Sequence, residues 1–135
     1  MRVVVIGCGA IGSQVAAALW KDGHEVVVLD LNPESFCLLP AAMREDERVA
    51  LRGDGTADQD LLRAGIMDAD VCIAAMSKDT RNLLVAQKAK HMFKVPRAIC
   101  RVDSPVMQDM YQQFGIITIS TTRVVTGLFI NSVLQ

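Results

Sequence analysis

The chain has 135 residues, 51% of them hydrophobic, with 14 basic residues against 15 acidic ones and a formal net charge of −1. That length is about one domain and the apolar share is ample for a buried core, while the near-even charge, spread along the chain, gives no electrostatic case for nucleic acid or anionic lipid as a partner. No apolar run reaches the roughly 18 to 20 residues that span a bilayer, and Met1-Arg2 leads straight into a strand pattern without a signal-peptide signature. The expectation is a single soluble cytosolic domain, residues 1–135, with no direct membrane insertion. Cys8, Cys37, Cys72 and Cys100 form no CxxC pair, and two of them lie within apolar strand patterns, so they read as reduced core or loop residues. His24 and His91 share no ligand spacing with them, and no metal site is expected.

Strand and helix patterns alternate from the first residues. A strand is predicted over 2–6, followed by Gly7-Cys8-Gly9-Ala10-Ile11-Gly12 and a helix over 10–21. In a GxGxxG loop placed between a strand and a helix, the first glycine allows the tight turn and the second lets backbone approach a pyrophosphate. The third lets the helix lie close on the sheet. The helix start offers unpaired N–H groups and a partial positive charge of about half an elementary unit, an anion site without lysine. Gly23 closes this helix, and a second strand over 25–30 ends in Asp30, 18 positions after Gly12. A carboxylate there accepts hydrogen bonds from a ribose diol and repels a 2′-phosphate, which favours NAD or an adenosine nucleotide over NADP.

Asn32-Pro33 starts a helix predicted over 33–43, followed by a strand over 49–52 and a helix over 58–64. Strands over 70–74, 98–102 and 116–119 then alternate with helices over 80–92 and 105–114. The strands are continuous Val, Ile and Leu runs, as expected when helices cover both faces of a sheet. Six strands with five crossovers predict an α/β, Rossmann-like, doubly wound parallel sheet in three layers, α/β/α.

Ligands of such sheets bind outside the carboxyl ends of the strands, near the switch point between the first and fourth. By that rule the candidate contacts are the glycine loop, Asp30 with Leu31, Gly53-Asp54-Gly55-Thr56, Ala75-Met76-Ser77-Lys78-Asp79, Arg101 to Ser104, and Ser120-Thr121. The turn at 53–56 either brings backbone to an adenine edge with Asp54 as a partner, or is a strand-to-helix turn capped by Thr56 or Asp58. Lys78 and Arg101 are the basic residues placed at the crevice; Arg101 either faces phosphate or pairs with Asp103 or Asp79. Both histidines fall toward the opposite edge and read as loop residues.

Several of these segments together resemble the TrkA N-terminal domain, also called the KTN domain or the N-lobe of an RCK domain. They are Gly7 to Gly12, Asp30, the turn at 53–56, Ala74-Ala75-Met76-Ser77-Lys78-Asp79-Thr80-Arg81-Asn82, and Cys100-Arg101-Val102-Asp103-Ser104-Pro105. Tyr111 to Ile116, then Ile119-Ser120-Thr121, extend the resemblance over essentially the whole chain. The resemblance implies a regulatory domain, not an enzyme, that binds NAD or NADH, or alternatively AMP, ADP or ATP, as an effector. Its implied partner is a membrane potassium transporter or channel subunit, and its place the cytoplasmic face of the membrane.

Residue by residue, the resemblance puts phosphate on Gly7, Gly9, Ala10, Ile11 and Gly12 and the ribose on Asp30, with Cys8 and Leu31 counted among the cofactor-binding residues beside them. Adenine falls on Asp54, Gly55 and Thr56, with Ala75, Met76, Ser77 and Arg101 completing the site. Some relatives carry an arginine after the second glycine, facing the terminal phosphates of ATP, where this chain has Ala10; that departure weakens ATP against NAD(H), ADP or AMP. Many relatives also continue into a C-terminal lobe, so the chain reads as an excised domain or a minimal subunit.

Residues 121–135 carry Val124, Val125, Leu128, Phe129 and Val133 at helical spacing with one charge, Arg123. This stripe either packs on the chain's own sheet or, as the resemblance suggests, crosses to a neighbouring protomer. The apolar residues Leu83, Leu84, Val85, Ala86, Ala89, Met92 and Phe93 exceed one sheet contact and point the same way, to a homodimer or a higher ring assembly. Two other classes stand beside this reading: an NAD-dependent oxidoreductase cofactor-binding domain, and an interaction module without a ligand. The first lacks an acid, base or substrate anchor at the nicotinamide end. The second does not require Gly7, Gly9, Gly12 and Asp30 together.

Overall fold

The computed structural model describes residues 1–135. Six parallel strands, β1 (Arg2–Ile6), β2 (Glu25–Asp30), β3 (Ala50–Arg52), β4 (Val71–Ala74), β5 (Arg97–Arg101) and β6 (Ile117–Ile119), form one sheet in the order β3-β2-β1-β4-β5-β6. Register runs from Arg2 opposite Glu25 on one side of β1 and from Val3 opposite Val71 on the other. The helices are α1 (Ala10–Lys21), α2 (Ala41–Arg44), α3 (Asp58–Arg63), α4 (Asp79–Gln87), α5 (Pro105–Gln112) and α6 (Thr121–Leu134).

Because successive strand residues face opposite sides, β1 feeds two cores. Val4 and Ile6 join Leu29, Cys72, Ala74 and Cys100 beneath α3 and α4. Val3 and Val5 join Val26, Val28 and Ala16 of α1 on the other face, closed by Phe36, Leu39 and Met43. The three-layer α/β sheet is therefore the one expected. Its chain leaves β1 toward β2 and β3, then crosses back through α3 to β4, which opens a crevice above the carboxyl ends of β1 and β4.

The stretch 33–43 is not one helix. A 3-10 segment, Pro33–Leu38, is capped by the Asn32 side chain, which accepts from the Glu34 N–H at 3.1 Å. It stops at Leu39, which is extended (φ −85°, ψ 152°), before the four residues of α2 begin. Pro40 explains the break: it has no N–H to donate and its ring drives the preceding residue out of the helical region. The stretch 80–92 is likewise divided, with α4 passing at Lys88–Met92 into a wider π turn.

The apolar excess expected there is smaller than the sequence suggests. Leu83, Val85, Ala86 and Ala89 are absorbed by the chain's own core, and only Leu84 and Met92 stand exposed. α6 is the opposite case: no residue of it is buried, and Phe129 and Val133 are 71% and 82% exposed. Its apolar side does not pack on the chain's own sheet. No helix is long and apolar enough to cross a membrane.

Candidate functional site

The crevice has a volume of about 390 Å³ and is walled by the loops that follow β1, β2, β3 and β4, with Arg101 reaching in from the end of β5. Close approach of backbones shapes it. Gly7 turns the chain at φ +102°, where a Cβ would lie 2.9 Å from the Ala75 carbonyl oxygen, so the loops after β1 and β4 sit against each other. A Cβ on Gly55 would come 2.1 Å from Ile6 Cγ2, so the turn after β3 closes directly over the end of β1. A Cβ on Gly9, by contrast, would meet nothing within 4 Å. Gly9 lines the crevice and leaves its floor open.

Gly9 is also the N-cap of α1, without a side-chain cap, and the first turn holds no acidic residue. The amide groups of that turn therefore keep unspent donors and an uncompensated positive end. Asp30 stands opposite. Its Oδ2 accepts the Cys8 N–H at 2.7 Å and its Oδ1 accepts the Asn32 N–H at 2.8 Å. A carboxylate has about four acceptor positions, so two remain after these backbone bonds have fixed its orientation.

Gly7, Gly9, Ala10, Ile11, Asp30, Leu31, Asp54, Gly55, Ala75, Met76, Ser77 and Arg101 all line the crevice. Cys8, Gly12 and Thr56 do not. The Cys8 side chain turns into the core on the α1 face, and burial, then the Asp30 charge, push its thiol up to about 11. Gly12 is buried on the inner side of α1, where a Cβ would fall 1.9 Å from the Gly7 carbonyl oxygen. Thr56 spends both its N–H, at 2.9 Å, and its hydroxyl, at 2.7 Å, on Asp54 Oδ1. Those bonds hold the Asp54 carboxyl below its ordinary range. The turn at 53–56 thus borders the crevice and bonds to itself, but neither Thr56 nor Asp58 caps the helix that follows, because the N-cap of α3 is Ala57, which makes no side-chain cap bond.

Charge is divided across the crevice, with Asp30 and Asp54 toward β2 and β3 and with Lys78, Arg81 and Arg101 toward β4 and β5. Arg101 pairs with Asp103 through Nε at 3.2 Å. Asp79 is occupied elsewhere, accepting the N–H groups of Asp103 and Ser104 at 2.8 and 3.1 Å. Ser35 and Arg81 were not foreseen as wall residues. Arg81 was legible, since it lies in the first turn of α4, next to the loop that follows the carboxyl end of β4.

A further position missed in the sequence is Asn82, which is fully buried. Its Oδ1 accepts the Met76 N–H at 2.8 Å, and its Nδ2 donates to the carbonyls of Met76 and Arg101 at 2.8 and 2.9 Å. One side chain thereby ties the loop after β4 to the end of β5. The available signal was a lone polar residue among the apolar positions Leu83, Val85 and Ala86 on the buried side of α4.

Both histidines lie away from the crevice: His24 Nδ1 is 3.1 Å from the N-terminal amine and His91 Nε2 is 3.1 Å from the Phe114 carbonyl oxygen.

A profile of the TrkA-N domain matches residues 3–122. A Trk system potassium uptake protein TrkA of Streptomyces coelicolor is 40% identical over 124 residues, which is 91% of this chain and 54% of that protein. The chain thus spans about half the length of the curated relatives it matches. Among solved structures, the TrkA-N domain of the inner membrane protein ybaL from Escherichia coli superposes with a TM-score of 0.83 at 14% identity, covering 96% of this chain and 94% of that one. The GsuK channel bound to NAD gives 0.78 at 23% identity, covering 96% of this chain and 22% of that one. At those identities the solved structures speak to the fold. With the profile covering the crevice and, but for Arg2, all six strands, the chain belongs to the TrkA-N domain family.

Proposed function

We propose that this domain is a nucleotide sensor of a potassium uptake system. It binds NAD(H) or an adenine nucleotide as an effector and passes occupancy to a membrane potassium transporter or channel on the cytoplasmic side. One observation carries the reading: the uncapped N-terminus of α1 and the oriented Asp30 carboxylate face a single crevice. Its parts fit the parts of a nucleotide. The amides of Gly9, Ala10 and Ile11 meet a pyrophosphate, the free acceptor positions of Asp30 meet a ribose diol, and Gly55 with Asp54 borders the adenine. The family relatives named as potassium uptake proteins support the transport role, and the GsuK channel, a fold relative, is known bound to NAD and to ADP.

The domain acts as a regulator and not as an enzyme. A ligand shifts an equilibrium only through different affinity for its two states, so NAD(H) and ADP can oppose each other at one site if only one of them favours a given arrangement of protomers. Calorimetric titration with NAD, NADH, AMP, ADP and ATP tests the reading: micromolar binding of at least one supports it, and no binding of any leaves an interaction module. Asp30→Ala is expected to weaken the nucleotides that bind by about 1–3 kcal/mol, the worth of hydrogen bonds to a charged group. Unchanged affinity would remove Asp30 from the site.

The exposed apolar side of α6 supports reading the chain as part of a homodimer or higher ring, with 1–135 as one nucleotide-binding unit. Sedimentation should show a dimer or larger species. Leu128→Asp with Phe129→Asp, at positions 62% and 71% exposed in the single chain, is expected to weaken association at least about 30-fold without changing the unfolding midpoint of the monomer. A dissociation constant unmoved by the pair would place the interface elsewhere.

A further inference from the structure

All hydrogen bonds from α6 to the rest of the chain come from its cap and first turn. Ser120 caps the helix, accepting the Arg123 N–H at 3.2 Å while its hydroxyl donates to the Asp103 carbonyl at 3.1 Å. Thr121 donates its hydroxyl to Asp103 Oδ1. Arg123 reaches Gln108 at 2.8 Å and Asp109 at 2.7 and 3.0 Å. Two of these three anchors end on Asp103, and beyond them the helix stands unburied. The direction of α6 is therefore set at its root.

Asp103 has a second attachment. The same Oδ1 that takes the Thr121 hydroxyl also takes Arg101 Nε at 3.2 Å. Arg101 lines the crevice, and its terminal guanidinium nitrogens have no partner within the chain. These are the donors that form a two-pronged bond with phosphate. A single contact between side chains 29% and 44% exposed is a weak competitor for them. The Thr121 hydroxyl first, and Arg101 second, hold the Asp103 carboxyl below its ordinary range, consistent with one anion serving both donors.

We propose that Asp103 is a positioning residue that links the crevice to α6, so that drawing Arg101 toward an anionic ligand alters the anchoring of the first turn of α6 through Thr121. The inference rests on the nucleotide reading above for the identity of the ligand. The link itself is a property of the unliganded chain.

The test is amide hydrogen exchange at Arg123 and Val124, whose N–H groups bond Ser120 Oγ and O, in the full chain. Arg101→Gln without ligand is expected to change exchange at these two amides by at least about threefold, as coupled neighbours do, with the amides of β1 unmoved. Arg101→Lys, which keeps a cation for Asp103, should restore the wild-type rates. In a Thr121→Val background, which lacks the hydroxyl, Arg101→Gln should have no further effect. Saturating ADP or NAD should shift the same amides in the wild type and leave Thr121→Val unaffected.

Wild-type rates in Arg101→Gln, or an equal change with and without the Thr121 hydroxyl, would overturn the link. So would a nucleotide that binds by calorimetry and leaves both amides unmoved. A chain that binds neither nucleotide refutes the sensor reading alone, and the unliganded variants still decide the role of Asp103.

Discussion

Gly12→Ala is expected to destabilise the domain by about 2 kcal/mol or more, although alanine is the better helix former. Two effects oppose each other. Within a helix, alanine gains about 1 kcal/mol over glycine. Against that, the new Cβ would lie 1.9 Å from the Gly7 carbonyl oxygen and 3.0 Å from its carbon. Both are backbone atoms, and Gly7 itself is held at φ +102° against the Ala75 carbonyl, so the obstacle cannot rotate away. Overpacking of this kind costs about 1–3 kcal/mol and more where nothing yields, so the clash wins.

The strain would be relieved by lifting the start of α1 off β1, which moves the amides that face the crevice. Nucleotide affinity should therefore fall together with the urea midpoint. Gly9→Ala is the control, because its Cβ meets nothing within 4 Å. Its stability should stay near wild type while a bound phosphate is crowded out. A Gly12→Ala chain as stable as the wild type would show that α1 is not held where the glycine contact puts it.

Asn82→Ala is expected to cost about 2–4 kcal/mol, the sum of a small cavity and partners left without hydrogen bonds. The side chain is fully buried and makes three bonds of 2.8 to 2.9 Å. Truncation takes away the side-chain partner of the N–H and carbonyl of Met76 and of the carbonyl of Arg101. Asn82→Leu, which fills the space without polar atoms, should not rescue it, because the stranded groups are backbone.

Functionally the loss exceeds stability alone. Met76 and Arg101 are both crevice wall, so a folded Asn82→Ala chain should bind nucleotide more weakly than its stability predicts. Full-strength binding at temperatures well below the unfolding transition would mean that the loops after β4 and β5 hold their places without the clamp.

Much of this site was legible from local pattern. Gly7, Gly9 and Asp30 were recognisable because a strand, a glycine turn and a helix start follow one another within a few residues, and turn chemistry acts at that range. Burial on both faces writes itself into Val3-Val4-Val5-Ile6 directly. The break at Leu39 was equally local, since Pro40 announces it.

Side-chain fate was another matter. Cys8 sits in the glycine loop, yet its thiol is core and only its N–H serves Asp30, because the chain's turn at Gly7 rotates the next residue under α1. Asp54 borders the crevice, yet it spends one oxygen on Thr56 two residues on.

What the sequence determined alone was the alternation of buried strands and amphipathic helices, and with it the α/β class, the glycine turn that opens the first helix and the carboxylate at the end of the second strand. Each follows from spacing over a few residues, where periodicity and backbone sterics decide. Only the tertiary structure decided that Asn82 clamps Met76 to Arg101, 19 residues away, that Asp103 joins Arg101 to the root of α6, and that α6 finds no cover on its own chain. Those outcomes depend on which loops the strand order β3-β2-β1-β4-β5-β6 brings together, and a hydrogen bond across loops leaves no period in the sequence that makes it.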